Sequence, residues 1–202
     1  TGSPMCGIPY HASRIYIARL LRAGKKVAIC EQVSDVVPGE LTERKIVEVI
    51  TPGTATGDDF LEQGQNNYLA AVYCTPKEIT CGAVTDVFIG FAYLDVSTGE
   101  FFATSFPRSD FAEQFKKELG RVQPREILIQ ISLADSVPAL KALCGEYPQM
   151  LQNLYPDWHF SAASAEKRLC ACFGTESLKS FGLTAPSPEL PPAGLLLQYL
   201  DQ

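Results

Sequence analysis

Apolar and polar positions follow two rhythms along these 202 residues, and the change of rhythm divides the chain. From Ser13 to about Ala23 the spacing predicts a helix capped by Ser13, with Tyr16, Leu20 and Ala23 on its inner face. Gly24 is placed to close it, and Arg22, Lys25 and Lys26 sit near its negative dipole end. Ahead of it, Gly7-Ile8-Pro9-Tyr10-His11 reads as a tight turn, because proline sets its own φ and holds Ile8 extended. Lys26–Val33 is an apolar run of strand length, Val36–Glu40 a loop, and Arg44–Thr51 an alternating second strand. Turn formers from Pro52 to Asp59 then break the pattern, and a domain boundary is expected between them and Asn66.

Beyond that break the elements are more strongly apolar. Asn67–Cys74 predicts a core strand, 75–86 a polar excursion, and Val87–Asp95 with Glu100–Ser105 a hairpin turning at Val96-Ser97-Thr98-Gly99. Phe111, Phe115, Leu119 and Val122 mark one face of a helix. Arg125–Ile131 follows as a buried strand, Leu133–Cys144 as a helix and Trp158–Phe160 as a short strand. Ser164–Phe173 predicts a helix with Leu169, Cys172 and Phe173 inward. Ala193–Tyr199 predicts an apolar helix running to the end of the chain, as expected of a piece of something longer. Strands in a meander, then alternating with helices, predict an α/β unit with a mixed sheet and flanking helices, preceded by a smaller α+β unit.

Composition narrows the class. Apolar residues make up 46% and charged residues 20%, which excludes a disordered chain. No apolar run reaches the roughly 18 residues of a membrane span, and no leader pattern opens the chain. Seven cysteines, an odd number with no repeating interval and some inside apolar runs (Val27-Ala28-Ile29-Cys30), read as reduced thiols of a cytoplasmic protein. The net charge of −6 disfavours a free-standing nucleic-acid binder. Its distribution is uneven: residues 1–52 carry 7 − 5 = +2 and the remainder 10 − 18 = −8, so the two parts should meet different partners.

Candidate chemistry is sparse. Neither G-x-x-x-x-G-K-[ST] nor G-x-G-x-x-G occurs, so no phosphate-cradling loop is present. Cys170-Ala171-Cys172 has no histidine partner nearby and makes a poor zinc site. His159, between Trp158 and Phe160, reads as a half-buried structural residue. His11 is either a hydrogen-bonded turn residue or a ligand contact. Asp95, Glu126 and Asp157 lie on or beside strands, as nuclease carboxylates do around paired metal ions. Against that, Asp95 precedes a hairpin, where Asp caps backbone, and Glu126 at a strand start is expected to be solvated. The basic side chains Arg14, Arg22, Lys25, Arg44 and Lys45 form either a solvated face or a surface that holds phosphates without reading sequence.

Longer segments carry a resemblance. Pro4-Met5-Cys6-Gly7-Ile8-Pro9-Tyr10-His11-Ala12, Lys26–Gln32 and Arg44–Thr54, then Asn66–Ala71, Leu94–Phe101, Phe181-Gly182-Leu183 and Ala193–Leu200, in this order, closely resemble the bacterial MutS family of DNA mismatch-recognition proteins. The resemblance spans the chain. It implies that residues 1–54 are the later part of a mismatch-binding domain, 55–65 a linker, 66–185 a connector domain with an RNase H-like fold, and 186–202 the start of a lever helix. It implies DNA contact at Met5, Pro9, Tyr10, His11, Arg44 and Lys45. No catalytic residue, metal site or cofactor is expected within the chain. ATP and magnesium would belong to the parent protein, together with homodimerisation. The F-x-E phenylalanine that wedges beside a mismatch would lie upstream, and the ATPase downstream. Expected partners are mismatched double-stranded DNA, through the parent, and MutL; no membrane is involved. The expected role is a connector relaying ATPase state, with hinges at 53–65 and Gly182–Pro192. The alternative is a small metal-dependent RNase H-like nuclease using Asp95.

Overall fold

A computed structural model describes residues 8–33, 42–57, 60, 65–75, 87–184 and 186–201. Met5, Cys6, Gly7, the Val36–Glu40 loop and nearly all of the 75–86 excursion lie outside the described residues.

The N-terminal unit opens with a turn of 3-10 helix, Tyr10–Ala12, that runs into α1, Ser13–Arg22. Ser13 is therefore the first helical residue and not the expected cap; Ala12 precedes the helix, without a side-chain bond. Gly24 closes it at φ +69°, where an L side chain would be strained, and the Gly24 and Lys25 amides donate to the Leu21 and Leu20 carbonyls. The chain reverses there into β1, Val27–Gln32, which pairs antiparallel with β2, Arg44–Ile50, across an irregularity between Ile29 and Cys30. The inner face of α1 is Ala18 and Leu21, not Tyr16 and Leu20, which are 42% and 46% exposed. Helix α1 is apolar on two sides, so spacing alone could not choose between them. Contact with Ile50, Ala55, Val27 and Ile29 chooses the Ile17–Leu21 side.

The larger unit is a five-stranded sheet in the order β5-β4-β3-β6-β7. Strands β3 (Tyr68–Tyr73), β4 (Phe88–Asp95) and β5 (Glu100–Pro107) form an antiparallel meander, Leu94 opposite Leu69 and Phe101 opposite Leu94. Strands β6 (Glu126–Gln130) and β7 (Leu151–Tyr155) then join on the other side of β3, parallel to it. A meander followed by crossovers is the strand order of an RNase H-like sheet, and the unit is α/β with helices on both faces.

Alternation assigns the faces. Ala70, Val72, Phe91, Ile127 and Ile129 meet α2 (Phe111–Val122) and α4 (Pro138–Gly145) on one side. Leu69, Ala71, Leu94 and Leu128 meet α5 (Ala162–Phe173) and α6 (Leu190–Leu200) on the other. Helix α2 buries the four residues its spacing predicts. The single helix expected over Leu133–Cys144 is two, α3 (Ile131–Ser136) and α4, because Pro138 has no amide to donate and disfavours helical Val137. Strand β7 was not foreseen. The strand expected at Trp158–Phe160 is instead a 3-10 turn, Asp157–His159, with Trp158 74% exposed.

Helix α5 is capped by the Ser161 hydroxyl accepting from the Ser164 amide, and it turns Ala165 and Leu169 inward. Cys172 and Phe173, expected inward, are exposed, since only one narrow stripe of α5 faces α6. Helix α6 begins at Leu190 with Pro191 and Pro192 in its first turn, where no intrahelical amide is lost. It packs across the sheet through Leu190, Ala193, Leu195, Leu196 and Tyr199. Gly194 lets it approach α5 closely, because a Cβ there would lie 2.2 Å from that of Ala165. Cys30, Cys74, Cys144, Cys170 and Cys172 form no disulfide; Cys30, in an apolar run by sequence, is exposed because α1 covers the ribbon only at Val27, Ile29 and Ile50.

Candidate functional site

The described residues among those expected to touch DNA all belong to the N-terminal unit. The reversal at Gly24 sends β1 back along α1, with Ile17 and Leu21 over Val27, Ile29 and Ile50. The start of α1 and the Gln32–Arg44 end of the ribbon therefore lie at the same end, away from the turn. Pro9 and His11 are exposed there, before and within the first 3-10 turn, and Tyr10 begins that turn. Arg44 and Lys45 are exposed on β2, Lys45 forming a solvated ion pair with Glu43 at 3.3 Å. Such a pair is a weak restraint, so the ammonium can exchange Glu43 for a phosphate at little cost. Met5 lies outside the described residues. His159 is half-buried, stacked on Trp158 at 3.6 Å, with Nδ1 3.2 Å from Gln198 Nε2.

The carboxylates weighed for metal chemistry do not converge. Asp95 ends β4 on the face of Phe91 and Tyr93, whereas Glu126 begins β6 on the opposite face with Leu128. Asp157 follows β7 at the far end of β6 and accepts from the Ser132 amide. Among the described residues no group of three or more His, Cys, Asp or Glu side chains is placed to hold a metal ion. Asp95 has a structural task. Its Oδ2 accepts from the Asn67 amide at 2.8 Å, and its Oδ1 from the Ser97 amide and hydroxyl at 2.8 and 2.6 Å.

Burial alone would raise the Asp95 pKa, but donors at Ser97, Asn67 and Thr98 outweigh it and hold the carboxyl below its usual value of 3.8. The stabilisation is complete above the usual value of 3.8 and disappears as pH falls through the lower folded-state value. Asp95→Asn should therefore cost about 1–3 kcal/mol near neutrality. Its deficit should shrink as pH falls below 3.8, which urea titrations at several pH values will read.

The polar centre of the molecule is Glu126. Expected at the surface, it is fully buried, and its carboxyl accepts three hydrogen bonds from remote parts of the chain. Oε2 takes the Gly53 amide at 3.0 Å; Oε1 takes Asn153 Nδ2 at 2.5 Å and the Tyr199 hydroxyl at 2.6 Å. A Cβ on Gly53 would lie 2.9 Å from that of Glu126, so only glycine lets the segment come this close. The same segment is held by Asn67, whose Nδ2 donates to the Pro52 and Ala55 carbonyls at 2.9 and 3.1 Å. Thr51, Pro52, Gly53 and Ala55 are buried, so the start of the expected 53–65 hinge is fastened to the sheet.

Burial, and then the charge and hydrogen bond of Glu126, push the Tyr199 pKa far up, so its hydroxyl stays a donor. Lys26 Nζ stands 5.8 Å from the Tyr199 ring centroid. None of this was read from sequence. A signal existed in Glu126 and Gln130 bracketing Ile127-Leu128-Ile129, since a strand buried on both faces buries its polar ends as well.

Comparison with known proteins matches both units. Residues 1–59 match the family model described as MutS domain I, and residues 67–202 that of MutS domain II. The DNA mismatch repair protein MutS of Treponema denticola is 66% identical over 98% of this chain, which covers 22% of that protein. The MutS proteins of Treponema pallidum and Chlorobium phaeovibrioides are 48% and 40% identical over 100% and 98% of the chain, which covers 21% and 22% of them. The chain thus spans about a fifth of the length of these curated relatives. Among solved structures, T. thermophilus RuvC in complex with Holliday junction substrate aligns at 12% identity and TM-score 0.45, covering 65% of this chain and 90% of that one.

Proposed function

From the premise that this chain belongs to the MutS family of DNA mismatch repair proteins, we propose that it couples a DNA-contacting unit to a connector within a mismatch-repair protein. The observation that carries this reading is the placement of the two ends. Pro9, His11, Arg44 and Lys45 are exposed at one end of the N-terminal unit, while the chain leaving that unit, Thr51–Ala55, is buried against the sheet. A force on the exposed end is then delivered to a packed α/β body and not dissipated in a loose tether.

In this reading Arg44 and Lys45 meet phosphates, and the Met5–His11 turn lies against the groove of kinked DNA. The sheet unit relays the state of an ATPase located elsewhere in the parent and presents a docking surface to MutL. ATP and magnesium belong to that other region, because no phosphate-cradling glycine loop occurs in these 202 residues. The parent acts as a homodimer in the cytoplasm. Among the described residues no helix is long and apolar enough to cross a membrane.

This chain alone should bind DNA weakly and without preference for a mismatch. Fluorescence anisotropy with homoduplex and mismatched oligomers should give matching dissociation constants in the roughly 10⁻⁴–10⁻⁶ M range of non-specific contacts at physiological salt. Replacing Arg44 and Lys45 together with alanine should lower the slope of log affinity against log salt by about 2. A clear preference for the mismatch, or an unchanged salt slope, would refute the assignment.

A further inference from the structure

At Glu126 three separate stretches of chain share a single side chain. Gly53 belongs to the segment leaving the N-terminal unit, Asn153 to β7 and Tyr199 to the last turns of α6. All three partners donate, so the carboxyl is purely an acceptor, and moving any one partner redistributes the other two.

We propose that Glu126 is a positioning residue, a latch through which displacement of α6 is transmitted to the Thr51–Ala55 segment and so to the N-terminal unit. The geometry favours this route over general packing. Tyr199 and Gly53 meet different oxygens of one carboxyl, at 2.6 and 3.0 Å, and Asn153 steadies the Tyr199 side of it. Gly53 has no side chain, so its amide is the group through which it answers. Asn67 holds the carbonyls on either side of Gly53, which makes Pro52–Ala55 a short rigid tab that moves as a piece. The latch deepens the relay reading above and rests on it for its biological meaning.

The test is a mutant cycle read by amide hydrogen exchange in the full 202-residue chain, without nucleotide or DNA. Tyr199→Phe keeps the ring and removes the hydroxyl. It should speed exchange at the Gly53 amide about fivefold to tenfold, the size of one hydrogen bond's net contribution. The Val72 amide, in the middle of β3, should change less than twofold on the same order-of-magnitude scale and so reports global stability. In a Glu126→Gln background, Tyr199→Phe should no longer affect Gly53. In a Thr51→Val background the effect should persist, which excludes transmission through the Thr51 hydroxyl, the other side-chain hydrogen-bond partner of Tyr199. Equal effects of Tyr199→Phe with and without Glu126, or an unchanged Gly53 amide, would overturn the latch. Should Glu126→Gln fail to fold, the Tyr199→Phe and Thr51→Val comparison at Gly53 against Val72 decides by itself. Failure here leaves the relay reading to be judged on the parent protein, where nucleotide either changes the DNA-binding end or does not.

Discussion

Gly90→Ala is expected to be the most damaging single substitution in the sheet, lowering stability by about 3 kcal/mol or more. Gly90 lies in β4 between Tyr73 and Ser105, and the residues leading into α6 cross directly over it. A Cβ at that position would stand 1.7 Å from the Pro188 carbonyl oxygen and 2.5 Å from its carbon. Both neighbours are backbone, so no rotamer change relieves the overlap. Either β4 shifts within a paired sheet or the 188–189 segment lifts away, taking with it the first turn of α6 and the buried Leu190 and Ala193. Urea denaturation followed by far-ultraviolet circular dichroism will measure the loss. A change under about 1 kcal/mol would mean that the crossing segment yields easily and α6 is only loosely seated.

Phe115→Ala should cost about 3–5 kcal/mol, by loss of buried surface and creation of a cavity. Phe115 is fully buried at the centre of α2, stacked on Phe111 at 4.8 Å and edge-on to Phe91 at 5.4 Å. Removing its ring strips the aromatic cluster of the member that joins α2 to β4, and neighbours anchored in strands cannot collapse into the space. Phe115→Leu keeps most of the volume and should cost about 1–3 kcal/mol. Trp158→Ala, a larger deletion at a site 74% exposed, should stay within about 0.5 kcal/mol. Denaturation midpoints should rank these variants by burial and not by the size of the group removed; a costly Trp158→Ala would contradict the exposed turn.

Helix α2 was legible because one stripe, Phe111, Phe115, Leu119 and Val122, is apolar and the opposite side is charged. The β4–β5 hairpin was legible because the chain itself carries its turn, with Gly99 at φ +76° and Asp95 accepting from Ser97. In helix α1 the spacing marks the helix but not its inner face, because Ile15, Tyr16, Ile17, Leu20 and Leu21 make two apolar stripes. Strand β7, Leu-Gln-Asn-Leu-Tyr, is half polar and lies at the sheet edge, so its pattern is faint even though its pairing with β6 is regular. The exposed candidates Pro9, His11, Arg44 and Lys45 came from resemblance and charge, and the structure leaves all four at the surface of the N-terminal unit.

By itself the sequence determined the local elements whose periodicity or turn chemistry is complete within a few residues, the α/β class, and membership of the MutS family. Only the tertiary structure decided which face of α1 is buried, that the start of the expected hinge is fastened, and that Glu126 is a buried hub. The reason is that a polar group can be buried only when donors reach it, and those of Glu126 come from residues 53, 153 and 199. Periodicity reports what a residue's neighbours along the chain require. It carries no record of partners that only folding brings within 3.0 Å.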